Sequence, residues 1–191
     1  MKQNRIVFLT ENDKLDKQVI GILQKYGYGN IETGPVGQDG LRLIRRKVPD
    51  LILFDASNKT TTSLELLKVF AEDEIAAVIL ILSELTPKFV EEARDSGILA
   101  FLLEPISEVN LIPTVESSLI NFERFKKLKT EKENLEKSLE KRKLVERAKG
   151  IVMKKYNLPE DEAYRKLQKQ AMDKCISLKE LSEAIILADE V

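Results

Sequence analysis

LILFDASN, residues 51–58, sets a run of four apolar residues against a single carboxylate, Asp55, and a polar stretch continues after it as KTTTS. An apolar run ending on one acid predicts a strand that is buried on both faces and presents the acid at a sheet edge. The surrounding pattern repeats this unit. RIVFL (5–9), a weaker NIET (30–33), LILF (51–54), AVILIL (77–82) and AFLL (100–103) alternate with amphipathic stretches such as LDKQVIGILQKY, LRLIRRK, SLELLKVFAED and PKFVEEARDSG. Five strands alternating with helices predict an α/β doubly wound, five-stranded parallel sheet covered on both sides. In such sheets chemistry gathers at the carboxyl ends of the strands. Here those ends are Thr10-Glu11, Asp55, Ser83 and Glu104-Pro105.

From Asn110 the pattern changes. Pro113 is placed to open a helix, and neither Gly nor Pro follows until Gly150. Val115, Leu119, Phe122, Phe125, Leu128, Leu135 and Leu139 recur at spacings of three, four and seven, while the surface between Leu128 and Leu139 is nearly all Lys and Glu. That is a long amphipathic helix with an irregular heptad seam, and the expected use of the seam is a parallel coiled-coil homodimer. Three short helices should follow. The first spans about 143–156, the second begins at LPEDEAY, and the third begins at SLKE, where Ser177 and Glu180 form a capping box.

Composition narrows the chemistry. The chain of 191 residues carries 31 Lys+Arg against 32 Asp+Glu, so a polyanion would need a local basic face. With no histidine, His acid–base catalysis and His metal ligation are excluded. One cysteine, Cys175, excludes an intrachain disulfide and fits a reducing compartment. The start MKQNRIVFLTEND turns polar too quickly for a signal peptide, so a cytoplasmic location is expected.

The first part of the chain, roughly 4–125, resembles the receiver domain of bacterial response regulators, with Asp55 after PDLILF, Gly97 and Pro105 at matching places. The resemblance implies a phosphoacceptor at Asp55, two acids after the first strand for Mg²⁺, a hydroxyl after the fourth strand and a lysine before Pro105. The sequence departs from that set. The acid pair reads Thr10-Glu11, Ser83 stands for the hydroxyl, Glu104 stands where the lysine belongs, and SNKTTTS lacks the usual Pro and Gly. Extra carboxylates repel an incoming phosphate. Asp55 is therefore read as silent, a weak divalent-metal site at Glu11 and Asp55 (with Glu104) is the second reading, and ordinary phosphorylation with Mg²⁺ is the third. The resemblance also implies a cis Glu104–Pro105 bond.

RKLVERAKGIVMKKYNLPEDEAYRKLQKQAM, within about 142–188, closely resembles the ANTAR domain, the RNA-binding module of transcription antitermination regulators. The order receiver, coiled-coil linker, ANTAR is that family's own. It divides this chain into 1–112, 113–142 and 143–191. The resemblance implies a non-enzymatic dimer that binds paired hairpins in a leader transcript, under a sensor protein acting on the receiver. On the first module helix Leu144, Val145, Ala148, Ile151 and Val152 share a core face. Lys143, Arg147, Gly150 and Lys154 line a neighbouring basic face, with Lys149 and Met153 flanking Gly150. Tyr164 offers a ring for stacking, and Lys166 and Lys169 add charge on the second helix. Against this stand Gln168, where the family commonly has arginine, and the turn DKCIS, where it is often basic. Two other functions therefore stay open: a response regulator that still uses Asp55, and a protein-binding scaffold whose RNA face has decayed.

Overall fold

The computed structural model describes residues 2–57, 75–87, 91, 98 and 100–189. The chain forms two compact units, Met1–Lys126 and Lys127–Val191.

In the first unit β1 (Lys2–Leu9), β2 (Tyr28–Gly34), β3 (Leu51–Asp55), β4 (Ala77–Leu82) and β5 (Ala100–Leu103) form one sheet in the order β2-β1-β3-β4-β5. Every pairing is parallel. The apolar runs explain the sandwich. Ile6, Phe8, Leu51, Leu53, Ile79 and Ile81 face one layer, with Leu15, Val19 and Leu23 of α1 (Asp13–Lys25) and with Leu111 and Val115. The alternate residues Val7, Leu9, Ile52, Phe54, Val78 and Leu80 face the other, with Leu41 and Ile44 of α2 (Gln38–Lys47). Period-2 alternation with both sets apolar is what a doubly covered sheet requires. Gly40 has a steric reason, since a Cβ there would sit 2.3 Å from the Pro35 carbonyl oxygen. The stretches SLELLKVFAED and PKFVEEARDSG with Gly97, and all of SNKTTTS beyond Ser57, lie largely or wholly outside the described residues.

The long helix, α3, runs Glu108–Tyr156, 49 residues. It starts earlier than the sequence reading, and Pro113 lies inside it instead of opening it. The start is set by Ser107, whose carbonyl accepts from Leu111 N–H and whose own N–H donates to Asn110 Oδ1 at 2.7 Å. Proline in the second turn then removes a single intrahelical bond. The helix start is tied to α1 and β2. Gln18 Nε2 donates to the Ile106 carbonyl (2.7 Å), Lys25 pairs with Glu108 (2.6 Å), and the Tyr28 hydroxyl donates to Glu116 (2.8 Å). The Glu104–Pro105 bond is cis.

In the second unit the end of α3 packs with α4 (Glu160–Asp173) and α5 (Leu178–Asp189). Ala148, Val152, Ala163, Leu167, Ala171, Leu181 and Ile186 form its core, with Leu144 and Ile151 half-buried against it. The alanines let the helices approach closely. Both turns end a helix in the left-handed region without glycine. Asn157 (φ 49) lets Leu158 N–H reach the Met153 carbonyl, and Cys175 (φ 53) lets Ile176 N–H reach that of Ala171. Ser177 and Glu180 form the expected reciprocal box, Glu180 N–H to Ser177 Oγ and Ser177 N–H to Glu180 Oε2.

Candidate nucleic-acid interface and strand-end site

The sheet changes winding direction between β1 and β3, which pair Leu9 with Phe54. Thr10 and Asp55 come next and meet. The Thr10 hydroxyl donates to Asp55 Oδ2 at 2.7 Å and accepts from Asn12 N–H at 2.9 Å. Ser57 N–H donates to Asp55 Oδ1 at 3.0 Å. Asn12 in turn caps α1 through Lys14 and Leu15 N–H. Both oxygens of a buried acid (8% exposed) are thus taken by donors of its own chain. Glu11 and Ser83 are exposed, and Glu104 is half-buried with its N–H on the Leu82 carbonyl. Among the described residues no three Asp, Glu or Cys side chains gather where a metal could be held. A hydroxyl in place of one acid, already donating to Asp55, does not fit the Mg²⁺ of a working receiver. The proposed trio of Asp55, Glu11 and Glu104 is not assembled as a ligand set.

On α3, Lys143, Arg147 and Lys154 are exposed and Gly150 is half-exposed. A Cβ on Gly150 would meet nothing within 4 Å, so no helix of this unit packs against it. The glycine opens a gap in the basic stripe instead of relieving crowding.

Lys149 and Met153, read from the sequence as flanking Gly150 and as candidate RNA contacts, have other surroundings. Lys149 is buried, its ammonium 2.6 Å from both Glu146 and Glu160. Those bonds raise its pKa, Glu146 first and then Glu160, while the lysine holds the Glu160 carboxyl below its usual range. It joins α3 to α4 through charge-assisted hydrogen bonds and has little left to offer a phosphate. Met153 is half-buried against the module core.

On α4, Lys169 is exposed, and Lys166 lies 3.7 Å from the centre of the Tyr156 ring. Tyr164, 38% exposed, lines an open cleft of about 540 Å³ beside Lys141, Arg142, Glu160 and Asp161. At 100° per residue the cleft-lining positions 142, 145 and 149 lie roughly 140° around α3 from the stripe of 143, 147, 150 and 154. The candidate residues thus divide between two surfaces, a basic stripe and a mixed-charge cleft. Lys141, Arg142 and Tyr156 were missed by the sequence reading; the run KRK at 141–143 was the available signal for the first two.

No helix among the described residues is long and apolar enough to cross a membrane.

Known proteins resemble both units. The ANTAR domain family model matches residues 133–186. The transcriptional regulatory protein PdtaR of Mycobacterium tuberculosis is 30% identical over 183 residues, 95% of this chain and 89% of that protein. The polar-differentiation response regulator DivK of Brucella ovis is 30% identical over 117 residues, 59% of this chain and 94% of that protein. In fold, the first unit is like the chemotaxis response regulator CheY4 of Vibrio cholerae (TM-score 0.54, 19% identity, 61% of this chain, 99% of that chain). The receiver domain of the response regulator NarL from M. tuberculosis is similarly close (TM-score 0.54, 20% identity, 62% and 98%). With a receiver sheet, a continuous long helix, an ANTAR match at its end and a transcriptional regulator similar along nearly its whole length, the chain belongs to the ANTAR-domain response regulators.

Proposed function

We propose that this response regulator is an RNA-binding transcription antiterminator that acts in the cytoplasm as a homodimer on hairpins of a leader transcript. The observation that carries the reading is the exposed stripe of Lys143, Arg147 and Lys154 around an open Gly150, inside the ANTAR match. Three cations rising along one helix face suit a phosphate backbone, and a gap without a side chain lets that backbone or a sugar come close. Lys169 extends the charge on α4. Leu128, Leu135 and Leu139, 66%, 70% and 55% exposed on α3, supply the seam for a second copy.

Control of the receiver runs through a partner protein or through self-association, not through a phosphoryl group or Mg²⁺. Support comes from Asp55, whose two oxygens are already engaged by Thr10 and Ser57. No catalytic role is assigned to any residue. The test is a mobility-shift titration of the full chain against two-hairpin leader RNAs selected from the source organism's own transcripts. Binding that weakens in Lys154→Ala, with the salt slope reduced by about 0.7 to 0.9 for the lost phosphate contact, supports the reading. Absence of binding to every such RNA at low salt overturns it.

A further inference from the structure

The module carries a third surface besides the stripe and the cleft beside Tyr164. In that cleft the central cation is already paired, Lys149 with Glu146 and Glu160. A smaller groove of about 90 Å³ lies between the last turns of α3, α4 and the end of α5. Ile151 and Ile185, both half-buried, form its apolar wall. Its rim carries Lys155, Tyr156, Gln170 and Asp189. Among the described residues none is a hydrogen-bond or ion-pair partner of the Lys155, Gln170 or Asp189 side chain. Gln170 is half-buried, so its amide has given up part of its water without gaining a partner in the fold.

Each group suits one part of a nucleotide. Lys166 sits 3.7 Å from the centre of the Tyr156 ring and occupies one of its faces. The ring is still 48% exposed, which leaves its other face for a second planar group. Stacking of this kind holds any base, since every base has a π-face. Choice among bases falls to Gln170 and Asp189. An amide offers a donor beside an acceptor, and a carboxylate only accepts. Together they suit the amino group and ring nitrogen of adenine, cytosine or guanine. Uracil has no exocyclic amine and would set a carbonyl oxygen against the carboxylate. Lys155 supplies a compact charge for the phosphate. The size agrees. A cavity of about 150 Å³ encloses a benzene ring, so about 90 Å³ open to solvent takes the edge of a base and leaves the rest over Tyr156.

We propose that this groove is a nucleotide site, with the base on Tyr156, its amino edge at Gln170 and Asp189, and its phosphate at Lys155. Two sources share this chemistry, an unpaired residue of a bound RNA and a free nucleotide. The first rests on the RNA-binding reading above, and the second does not. Position favours the first. At 100° per residue Ile151 and Lys155 lie roughly 90° around α3 from the basic stripe. Lys155 directly follows Lys154, so a backbone that leaves the stripe at Lys154 reaches the rim of the groove. The stripe then positions the strand, and the groove reads one base of it.

Titration of the full chain with AMP, CMP, GMP and UMP, followed by NMR, tests the site itself. The three amino-bearing nucleotides should bind, and UMP about tenfold more weakly. Tyr156→Ala should weaken AMP binding about tenfold, while Tyr156→Phe keeps the stack and the affinity. Circular dichroism of each variant checks the helices. A second arm uses the leader RNAs of the mobility-shift assay. If Tyr156→Ala weakens RNA binding about tenfold with an unchanged salt slope, the nucleotide is a residue of the RNA. If RNA affinity is unchanged while AMP binding is lost, it is a free nucleotide. If no RNA binds the wild-type chain, the RNA-binding reading fails and the AMP titration still decides the site. A wild-type chain that binds none of the four mononucleotides, with RNA binding absent or indifferent to Tyr156→Ala, overturns the proposal. So does UMP bound as tightly as AMP, or AMP binding that survives both Tyr156→Ala and Gln170→Ala.

Discussion

The strand-end site at Asp55 and the outer face of α3 at 143–154 differ in how their polar groups are used. At the strand ends each oxygen of Asp55 has a donor from its own chain, the Thr10 hydroxyl and the Ser57 N–H, and Asn12 holds Thr10 while capping α1. On α3 Lys143, Arg147 and Lys154 are exposed around a glycine whose missing Cβ faces open space. A closed set of hydrogen bonds stabilises a fold and resists a new ligand, because binding must first break contacts already made. An exposed charged stripe adds little to stability and is available to a polyanion. The same chain therefore keeps the receiver's shape, and the exposed stripe on which the RNA-binding proposal rests lies in the module.

The largest effect should come from removing the open stripe. Replacing Lys143, Arg147 and Lys154 together by alanine is expected to lower RNA affinity by about 100-fold or more and to reduce the salt slope by about two units. Thermal unfolding of the receiver should stay where it was. Loss of affinity with an unchanged slope would mean that the stripe is not in contact with phosphates.

A second experiment concerns Lys149, the cation on the closed side of the comparison. Lys149→Met should lower the melting temperature of the module by several degrees, since Glu146 and Glu160 lose their shared partner. It should leave the salt slope of RNA binding unchanged. The pH dependence follows from the same pair. Glu160 is lowered below 4.5 by Lys149, so its contribution is present above that value and is lost as pH falls through the lower folded one. Lys149 is raised above 10.5, so its part is present below that value and is lost only in more alkaline solution. Acid melting of the wild type should show this loss below pH 4.5, and Lys149→Met should not.

The smallest effect belongs to Gly150. Gly150→Ala should stabilise the free chain by about 0.5–1 kcal/mol, because alanine favours helix and its methyl meets no neighbour. RNA affinity should fall in the same variant. Opposite signs for folding and binding would separate a glycine kept for a ligand from one kept for packing.

How far each region was legible depends on what it packs against. The central strands β3 and β4 read directly as LILF and AVILIL because both faces are buried, and only apolar residues suit such positions. The edge strand β2 was read as four residues and is seven, Tyr28–Gly34, since its exposed positions carry no apolar signal. The start of α3 was read at Pro113 because proline is a strong helix-opening residue, whereas Ser107 with Asn110 does the capping. In the module the core face was legible from its period. The pairing of Lys149 was not, since Glu160 lies across a turn and periodicity says nothing about which lysine finds a carboxylate. Thr10 could be recognised as a departure from an acid. Its donation to Asp55 needed the geometry.

The most direct test of the central claim compares RNA binding by the full chain before and after incubation with acetyl phosphate and Mg²⁺, with intact mass recorded alongside. Unchanged mass and unchanged affinity, in the wild type and in Asp55→Asn alike, are the results expected if the strand-end site is closed and recognition lies on α3. A mass gain of one phosphoryl group that disappears in Asp55→Asn, accompanied by a change in RNA affinity, would contradict it.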